Sequence, residues 1–328
     1  MIEAPRCGEH IFLFQGVSIM SDVTNLRDAV NKVAVTGILN EKNLEKKADP
    51  KNPGQMIISG SLVIKTGENE TVTMSVSPMR PFTKAGKENP VYAGLDTVIN
   101  DYKSAAEYGT ENADWVRVSK GSGSINAYYS TKRGRESIGY RMLSINRILN
   151  TENVVPEAVF EVEVFIDAIA TEVVNNEQTG RVLVKAWLPI NLGENRVGVE
   201  KITLIAPEGI ASAVMEAYKP GDTVRFYGNI VNKAETETIK KTVKIGVAQD
   251  EKRTRYTNEL IITGASEAYD VDNPNSDYNQ PFPAEAIKLA ITERESRIED
   301  MKKNAGSSSY SSRPNNVAVS TGGRKLPW

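Results

Sequence analysis

Residues 199–230 read VEKITLIAPEGIASAVMEAYKPGDTVRFYGNI, and their pattern decides the fold. The stretch begins with a strand at 199–205 and ends with another at 223–230, both rich in β-branched and aromatic side chains. Between them, Pro207 opens a short helix whose apolar side chains recur at helical spacing, and residues 219–222 turn the chain. The pattern predicts one short helix between two strands of the same β-rich unit.

The strands around this stretch complete a unit of five strands. Apolar side chains largely alternate with polar ones at 160–166 and again at 181–188, which is the two-residue period of half-buried strands. A long polar loop follows residue 230 and leads to a fifth strand at 259–263. The second half of the chain therefore has the order strand-strand-strand-helix-strand-strand.

The first half of the chain repeats this order. Strands are predicted at 32–39, 56–65, 71–77, 115–118 and 142–147, and a helix at 95–106 lies between the third and the fourth. Val116-Arg117-Val118 corresponds to Val224-Arg225-Phe226 in the second half. Five strands with one helix between the third and the fourth is the layout of the OB-fold, a small Greek-key barrel, whereas an α/β sheet needs helices between most strands.

The predicted fold is mainly β, with two OB-fold-like Greek-key barrels that each carry one short helix. The predicted segments are an N-terminal leader or extension at 1–30, barrels at 31–150 and 151–282, a charged helix at 283–304 and a flexible tail at 305–328. The tail is predicted to be disordered because Gly, Ser, Asn and Pro dominate it and few residues in it could form a core. Met20 is an alternative natural start, so whether residues 1–19 belong to the native protein stays open.

Composition narrows the class of function. Among 328 residues the chain has one cysteine, Cys7, and one histidine, His10. The residue types that most often ligate transition metals, act as thiolate nucleophiles or transfer protons near neutral pH are therefore absent after His10. We predict a non-enzymatic binding protein without a cofactor or metal. A single cysteine allows no internal disulfide and no apolar run is long enough to span a bilayer, which predicts a cytoplasmic protein.

Basic loops that carry tyrosines occur at matching places in the two halves. The loop between strands four and five helps to frame the ligand face of OB-folds. This loop carries Tyr128, Tyr129, Lys132, Arg133 and Arg135 in the first half, and Lys240, Lys241, Lys252, Arg253, Arg255 and Tyr256 in the second. Cations neutralise phosphates and aromatic rings stack on unpaired bases, so the loops indicate nucleic-acid binding. The alternative is that they keep exposed hairpins soluble.

The second strand of the second half carries the aromatic side chain of greatest interest. Ala186 and Leu188 follow the buried parity, so Trp187 should point to the other face of the strand, together with Lys185 as its neighbour. On an OB barrel this outer face belongs to the ligand site, where stacking one base is worth roughly 1–3 kcal/mol. The alternative is that Trp187 packs under a neighbouring loop or domain.

Four further residues are candidates for contacts with the ligand. Arg117 and Arg225 alternate outward from the two fourth strands and could contact backbone phosphates, although salt bridges to nearby carboxylates are an equal alternative. Lys84 and Tyr92 follow strand three of the first half and could extend the binding surface.

Several features together resemble the single-stranded DNA-binding proteins of bacteriophages. They are the two OB-like halves, the flexible tail and the phrase Gly221-Asp222-Thr223-Val224-Arg225-Phe226-Tyr227-Gly228. The resemblance covers roughly residues 31–269 and the end of the chain. It implies that the last residues, Leu326, Pro327 and Trp328, dock replication or recombination proteins. The bacterial version of this tail is acidic and ends in Ile-Pro-Phe, whereas Arg324 and Lys325 stand here in place of the acids, so contact of the tail with DNA and an inert end are both alternatives.

The predicted function is sequence-tolerant binding of single-stranded DNA in phage-type DNA replication or recombination. Phosphate neutralisation and base stacking would supply the affinity. The alternative is a structural or assembly module that binds protein partners, because a fold does not determine a function. The preference for DNA over RNA, the site size and the oligomeric state stay open at this point.

Overall fold

In the computed structural model, residues 26–193, 196–240 and 250–307 are described. For 239–240, 250–252 and 305–307 this description covers the backbone alone. The predicted tail from residue 308, its docking residues and most of the predicted leader lie outside these residues. The first unit consists of β1 (Asn31–Ala48), β2 (Met56–Lys65), β3 (Thr71–Met79), α1 (Pro90–Asp101), α2 (Ala105–Tyr108), a 3-10 turn (Thr110–Asn112), β4 (Trp115–Ser130), β5 (Arg135–Met142) and β6 (Asn146–Arg147).

The second unit has the same order of elements. It consists of β7 (Glu157–Val174), β8 (Glu177–Gly193), β9 (Arg196–Ala206), α3 (Glu208–Ala217), β10 (Thr223–Lys240) and β11 (Asp250–Ala265), and α4 (Ala284–Ser307) follows. The predicted helix between the third and fourth strands is present in both units, and the predicted C-terminal helix is α4.

Each unit closes into a five-stranded barrel. In the first, β1 pairs with β2, β2 with β3, β3 with β5, β5 with β4, and β4 again with β1; β7, β8, β9, β11 and β10 repeat this order in the second. The third and fifth strands run parallel in both barrels, at Met74–Tyr140 and at Ile205–Ile261. This Greek-key closure is the OB-fold, so the predicted fold class is confirmed.

The apolar side chains that alternate along the strands fill the interior of both barrels. Leu62, Ile64 and Met74 are fully buried in the first, and Phe160 and Phe226 in the second. Where β10 crosses β7, the backbone of Gly228 lies against Phe160, and a Cβ there would approach the ring to within 2.6 Å. Only glycine allows the two strands to meet this closely.

The two barrels are joined through their first strands, which occupy the same place in the two strand orders. β1 pairs antiparallel with β7, so that Asn31 lies opposite Val162 and Val35 lies opposite Ala158. Arg27 strengthens this junction, because its guanidinium donates to both oxygens of the buried Glu163 carboxylate at 2.7 and 2.6 Å. Because the strand orders of the two barrels match, each barrel strand of one has a topological counterpart in the other.

The predicted ends of the fifth strands are wrong. In the first barrel this strand is Arg135–Met142 rather than 142–147. The predicted loops between strands four and five are long β-ribbons, in which Tyr128 pairs with Ser137 and Glu235 pairs with Arg255. Towards their ends these ribbons are exposed on both sides, at 131–136 and 253–256, so their sequence lacks the apolar alternation from which strands are predicted. We call these ribbons the first arm (126–139) and the second arm (231–258).

Candidate nucleic-acid interface

The outer surface of β2, β3 and β5 is open in the first barrel, and we call it the first-barrel face. In register, Val63 lies opposite Thr73, and Ser61 lies opposite Ser75, which is the parallel neighbour of Arg141. Thr73, Ser75 and Arg141 are exposed, while the residues between them point into the core. The face is therefore flat, hydroxyl-rich and positively charged at Arg141.

Tyr128 borders this face from β4. Its ring is 42% exposed and lies over Gly139 of β5, because a Cβ at Gly139 would be 3.9 Å from the tyrosine Cε1. Arg135, on the same side of β5 as Gly139 and Arg141, is exposed towards the end of the first arm. An exposed ring between two arginines can stack on a base while the cations contact the adjoining phosphates.

A cavity of about 400 Å³ continues the first-barrel face at the Arg141 end, and we call it the Arg141 cavity. Lys120 and the backbone of 121–124 line it together with Arg141. The ammonium of Lys120 lies 3.6 Å from the Glu161 carboxylate, which also has Lys32 at 3.6 Å. Glu161 offsets part of this positive charge, so Arg141 is the cation best placed to bind a phosphate here.

At the other end of the face, the two arms enclose a second cavity of about 320 Å³, the inter-arm cavity. Arg133 and Arg135 line it from the first arm, and Tyr256 and Asn258 from the second. The Tyr256 ring is 77% exposed, which leaves it free to stack. The structure thus brings together three predicted site residues, Arg133, Arg135 and Tyr256, from different barrels.

Hydrogen bonds between the barrels hold the arms in place. The Tyr140 hydroxyl donates to Asn258 Oδ1 at 3.1 Å, and burial raises the pKa of Tyr140, so the hydroxyl keeps the proton that it donates. The second arm also reaches the first barrel, where Lys233 Nζ lies 3.1 Å from the Glu70 carboxylate. The second arm is therefore tied to the first barrel by at least two polar contacts.

The other cations of the second arm are less available to bind phosphate than the sequence indicated. Arg253 and Arg255 are exposed, but they lie opposite Glu237 and Glu235 in the ribbon register. Opposite charges in cross-strand positions attract each other and weaken the field that a phosphate would meet. The side chains of Lys240 and Lys252, at the far end of this arm, and the whole of Lys241 lie outside the described residues.

Trp187 does not lie on an open surface. Its side chain points out of the second barrel, as predicted, but α4 covers it and leaves the residue 7% exposed. It packs in an apolar cluster with Val199, Phe282 and Ile287. The structure thus favours the alternative, packing under a neighbouring element, because the apolar side of α4 is buried on this face. Lys185, next to it in the outer parity of β8, is exposed.

Arg225 is a structural residue rather than a phosphate ligand. Its side chain is 15% exposed and lies 3.8 Å from Glu161, and its guanidinium lies over the Tyr278 ring at 5.5 Å. The salt-bridge alternative therefore holds, because the segment after β11 folds back over this strand. Arg117 is exposed, but its Nε donates to Thr36 Oγ1 at 3.2 Å, and it lines neither cavity.

The remaining predicted residues lie at the margins of this surface. Lys132 is exposed in the turn of the first arm. Tyr129, on the opposite side of that arm from Tyr128, is half-buried with Lys302 of α4 at 5.0 Å from its ring. Lys84 is exposed in the loop after β3, and Tyr92 packs against the core from α1, so neither lines a cavity.

The sequence prediction missed Arg141 and Lys120. Both were overlooked because β5 was placed seven residues too late and β4 was ended too early. The signal was present in the alternation Arg135, Ser137, Gly139 and Arg141, which puts these residues on one side of a strand.

No group of three or more His, Cys, Asp or Glu side chains within 26–193, 196–240 and 250–307 is arranged to hold a metal ion. Among the helices that the structure describes, none is long and apolar enough to cross a membrane.

A family model described as YorF matches residues 29–304. The wild-type single-stranded DNA binding protein from Thermus aquaticus has 12% sequence identity and a TM-score of 0.42, over 76% of this chain and 97% of that chain. A deletion variant of the same protein has 13% sequence identity and a TM-score of 0.43, over 76% of this chain and 99% of that chain. No curated protein sequence matches the chain.

Proposed function

The chain belongs to the YorF family, and we propose that it binds single-stranded DNA without strong sequence preference. One observation carries the proposal: the inter-arm cavity joins Arg133 and Arg135 of one barrel to the exposed Tyr256 ring of the other. Cations beside exposed rings on an OB barrel suit a flexible, negatively charged strand whose bases are unpaired.

The strand would follow β5 from the inter-arm cavity to the Arg141 cavity. Arg135 and Arg141 are six residues apart on this strand, which corresponds to about 20 Å at the usual rise of a β-strand. Tyr128 lies between them over Gly139 and offers a stacking surface midway. The hydroxyls of Thr73 and Ser75 alongside can donate to phosphate or sugar oxygens without reading the base.

The proposal includes a biological setting and an organisation. We infer two domains, at 31–150 and 151–282, that act together in the cytoplasm in phage-type DNA replication or recombination. The role is binding rather than catalysis, and the last residues, 326–328, are the proposed docking segment for partner proteins. These statements rest on the sequence resemblance and on the sequence pattern.

Titration of a fluorescent oligo-dT of about 30 nucleotides, followed by anisotropy, tests the proposal. We expect saturable binding that a duplex of the same length does not match, because paired bases offer no free faces to Tyr128 and Tyr256. The variant Tyr256→Ala should bind about 5–150-fold more weakly, which corresponds to the roughly 1–3 kcal/mol of one stacked base.

Tyr108→Ala is the matched control, because Tyr108 is 53% exposed on α2 and lines neither cavity. Equal losses in the two variants would contradict the assigned surface. Absence of binding to any oligonucleotide would reject the proposed function and favour a module that binds protein partners. A parallel titration with oligo-U distinguishes RNA from DNA.

A further inference from the structure

α4 lies on the surface of the second barrel that corresponds to the first-barrel face. In the matching strand orders, β2 and β3 correspond to β8 and β9, and the helix packs on the outer side of this second pair. Trp187 and Val199, which point outward from the barrel, are 7% and 0% exposed beneath it. One of two equivalent faces is therefore open, and the other is covered by a helix of the same chain.

The covered face carries the side chains expected of a stacking surface. The Lys201 ammonium lies 5.1 Å from the centre of the Trp187 ring, and the Arg294 guanidinium of α4 lies 5.7 Å from it. Lys185 is exposed next to this ring. An outward-facing indole beside lysines suits an unpaired base and its phosphate, and the helix occupies the space that they would need.

The polar contacts of α4 bridge the two barrels. Arg294, 4% exposed in its side chain, has Nε 2.8 Å from Glu200 of β9 and Nη2 2.6 Å from Glu136 of the first arm. Arg297 reaches the same Glu200 at 2.7 Å. Burial raises the pKa of Glu200, and the hydrogen bond from Arg294 opposes this shift. These charge pairs hold the helix in place more specifically than its narrow apolar stripe does.

The apolar contact of the helix runs along one side. Ala286, Ile287 and Ala290 are buried in the cluster around Trp187, Ile291 packs at its margin, and Ile298 is buried further along the helix. Because α4 lies at the end of the described chain, its release would leave both barrels closed. A helix that rests on the outside of a closed barrel can be displaced by a ligand that binds the same face better.

We propose that α4 is a displaceable cover on the strand face of the second barrel, and that a long single strand of DNA replaces it and stacks on Trp187. This inference rests on the proposed function and concerns its regulation. A short strand fills the first-barrel face alone, whereas a longer one extends to the second barrel only when α4 leaves. The apparent affinity of the second face for DNA is then its intrinsic affinity multiplied by the fraction of molecules in which this face is open.

The double variant Arg294→Gln with Arg297→Gln separates a cover from a DNA contact. It removes two positive charges, so a helix that itself bound DNA would lose affinity. If the arginines hold a cover in place, the affinity should rise instead. We expect the double variant to bind a dT of about 30 nucleotides about tenfold more tightly, and its affinity for a dT of about 8 nucleotides to change less than twofold. Unchanged or weaker binding of the long oligonucleotide would overturn the inference.

Lys288→Gln with Lys303→Gln is the matched control. It removes two charges from the same helix, but Lys288 and Lys303 are exposed and, among the residues that the structure describes, pair only along α4, with Glu285 and Asp300. We expect this control to bind the long oligonucleotide no more tightly than the unaltered protein. A tenfold gain in the control as well would mean that the effect comes from charge and not from release.

Hydrogen exchange of the unaltered full chain provides a test that does not depend on the folding of a variant. With saturating dT of about 30 nucleotides, amides of α4 should exchange at least tenfold faster, while those of β3 and β5 become more protected. Binding with α4 as protected as before would overturn the cover and leave the proposed function intact. Failure of every oligonucleotide to bind would instead reject the proposed function itself.

Discussion

The salt dependence of DNA binding follows from counting the free cations of the interface. Four cations lie on the first arm and β5: Lys132, Arg133, Arg135 and Arg141. None of them has an ion-pair partner among the residues that the structure describes, in contrast to Lys120, which has Glu161 at 3.6 Å. Each such cation that meets a phosphate releases condensed counterions from the strand.

Four contacts predict a slope of about −2.8 for the logarithm of the binding constant against the logarithm of the salt concentration, because single strands contribute about −0.7 for each phosphate neutralised. Between 50 and 200 mM salt the affinity should therefore fall by about 50-fold. In the triple variant Arg133→Gln, Arg135→Gln, Arg141→Gln, one contact remains. Its slope should be about −0.7, and its affinity should fall by less than threefold over the same range.

Anisotropy titrations of fluorescent oligo-dT at five salt concentrations measure both slopes. The control replaces Lys219, Lys288 and Lys303 by Gln, which removes the same number of charges from exposed positions that line neither cavity. The control should keep a slope of about −2.8. Equal slopes for the two triple variants would refute the assigned path, because net charge and not local contact would then determine affinity.

Three further predictions concern stacking, the junction of the barrels and acid stability. Tyr128→Ala should weaken binding of oligo-dT by about 5–150-fold with little change in Tm, as one lost base stack requires, and anisotropy with a thermal melt would show whether it does. Arg27→Gln leaves the buried Glu163 carboxylate without its charge partner, which should lower the free energy of unfolding by about 3 kcal/mol and Tm by about 6–12 °C. Adding Glu163→Gln should restore part of the lost stability. A calorimetric scan that shows no recovery in the double variant would contradict the pairing. Hydrogen bonds from Asn52 and Arg80 lower the pKa of Asp49 to about 2, so the stability that they contribute is present above pH 4 and is lost as the pH falls from 4 to 2. In Asp49→Asn the free energy of unfolding should therefore fall less steeply with pH in that window. The same pH dependence in the variant and the unaltered protein would argue against this role of Asp49.

The order of the elements follows from local sequence patterns. The two-residue alternation at 160–166 and the helical spacing after Pro207 depend only on neighbours within the same element, so strand and helix types could be predicted. Because this order occurs twice, it predicted two OB-fold-like barrels, and the closure of both barrels confirms this fold class. The arms were missed because their ends, at 131–136 and 253–256, are exposed on both sides and show no apolar period.

The site depended on contacts between distant residues, which local patterns do not contain. Arg135 and Tyr256 were predicted separately, but only the pairing of β1 with β7 brings their arms to one cavity. The outward direction of Trp187 followed from the parity of its strand, whereas its burial depends on α4, about 100 residues later in the chain.

The sequence by itself determined two small closed barrels and the segments that carry cations and rings. Only the tertiary structure decided which of the two equivalent strand faces is open. The physical reason is that alternation specifies which side of a strand avoids the core, while the occupant of that outer side is selected by packing and charge pairing with elements far along the chain, as Arg294 does with Glu136 and Glu200.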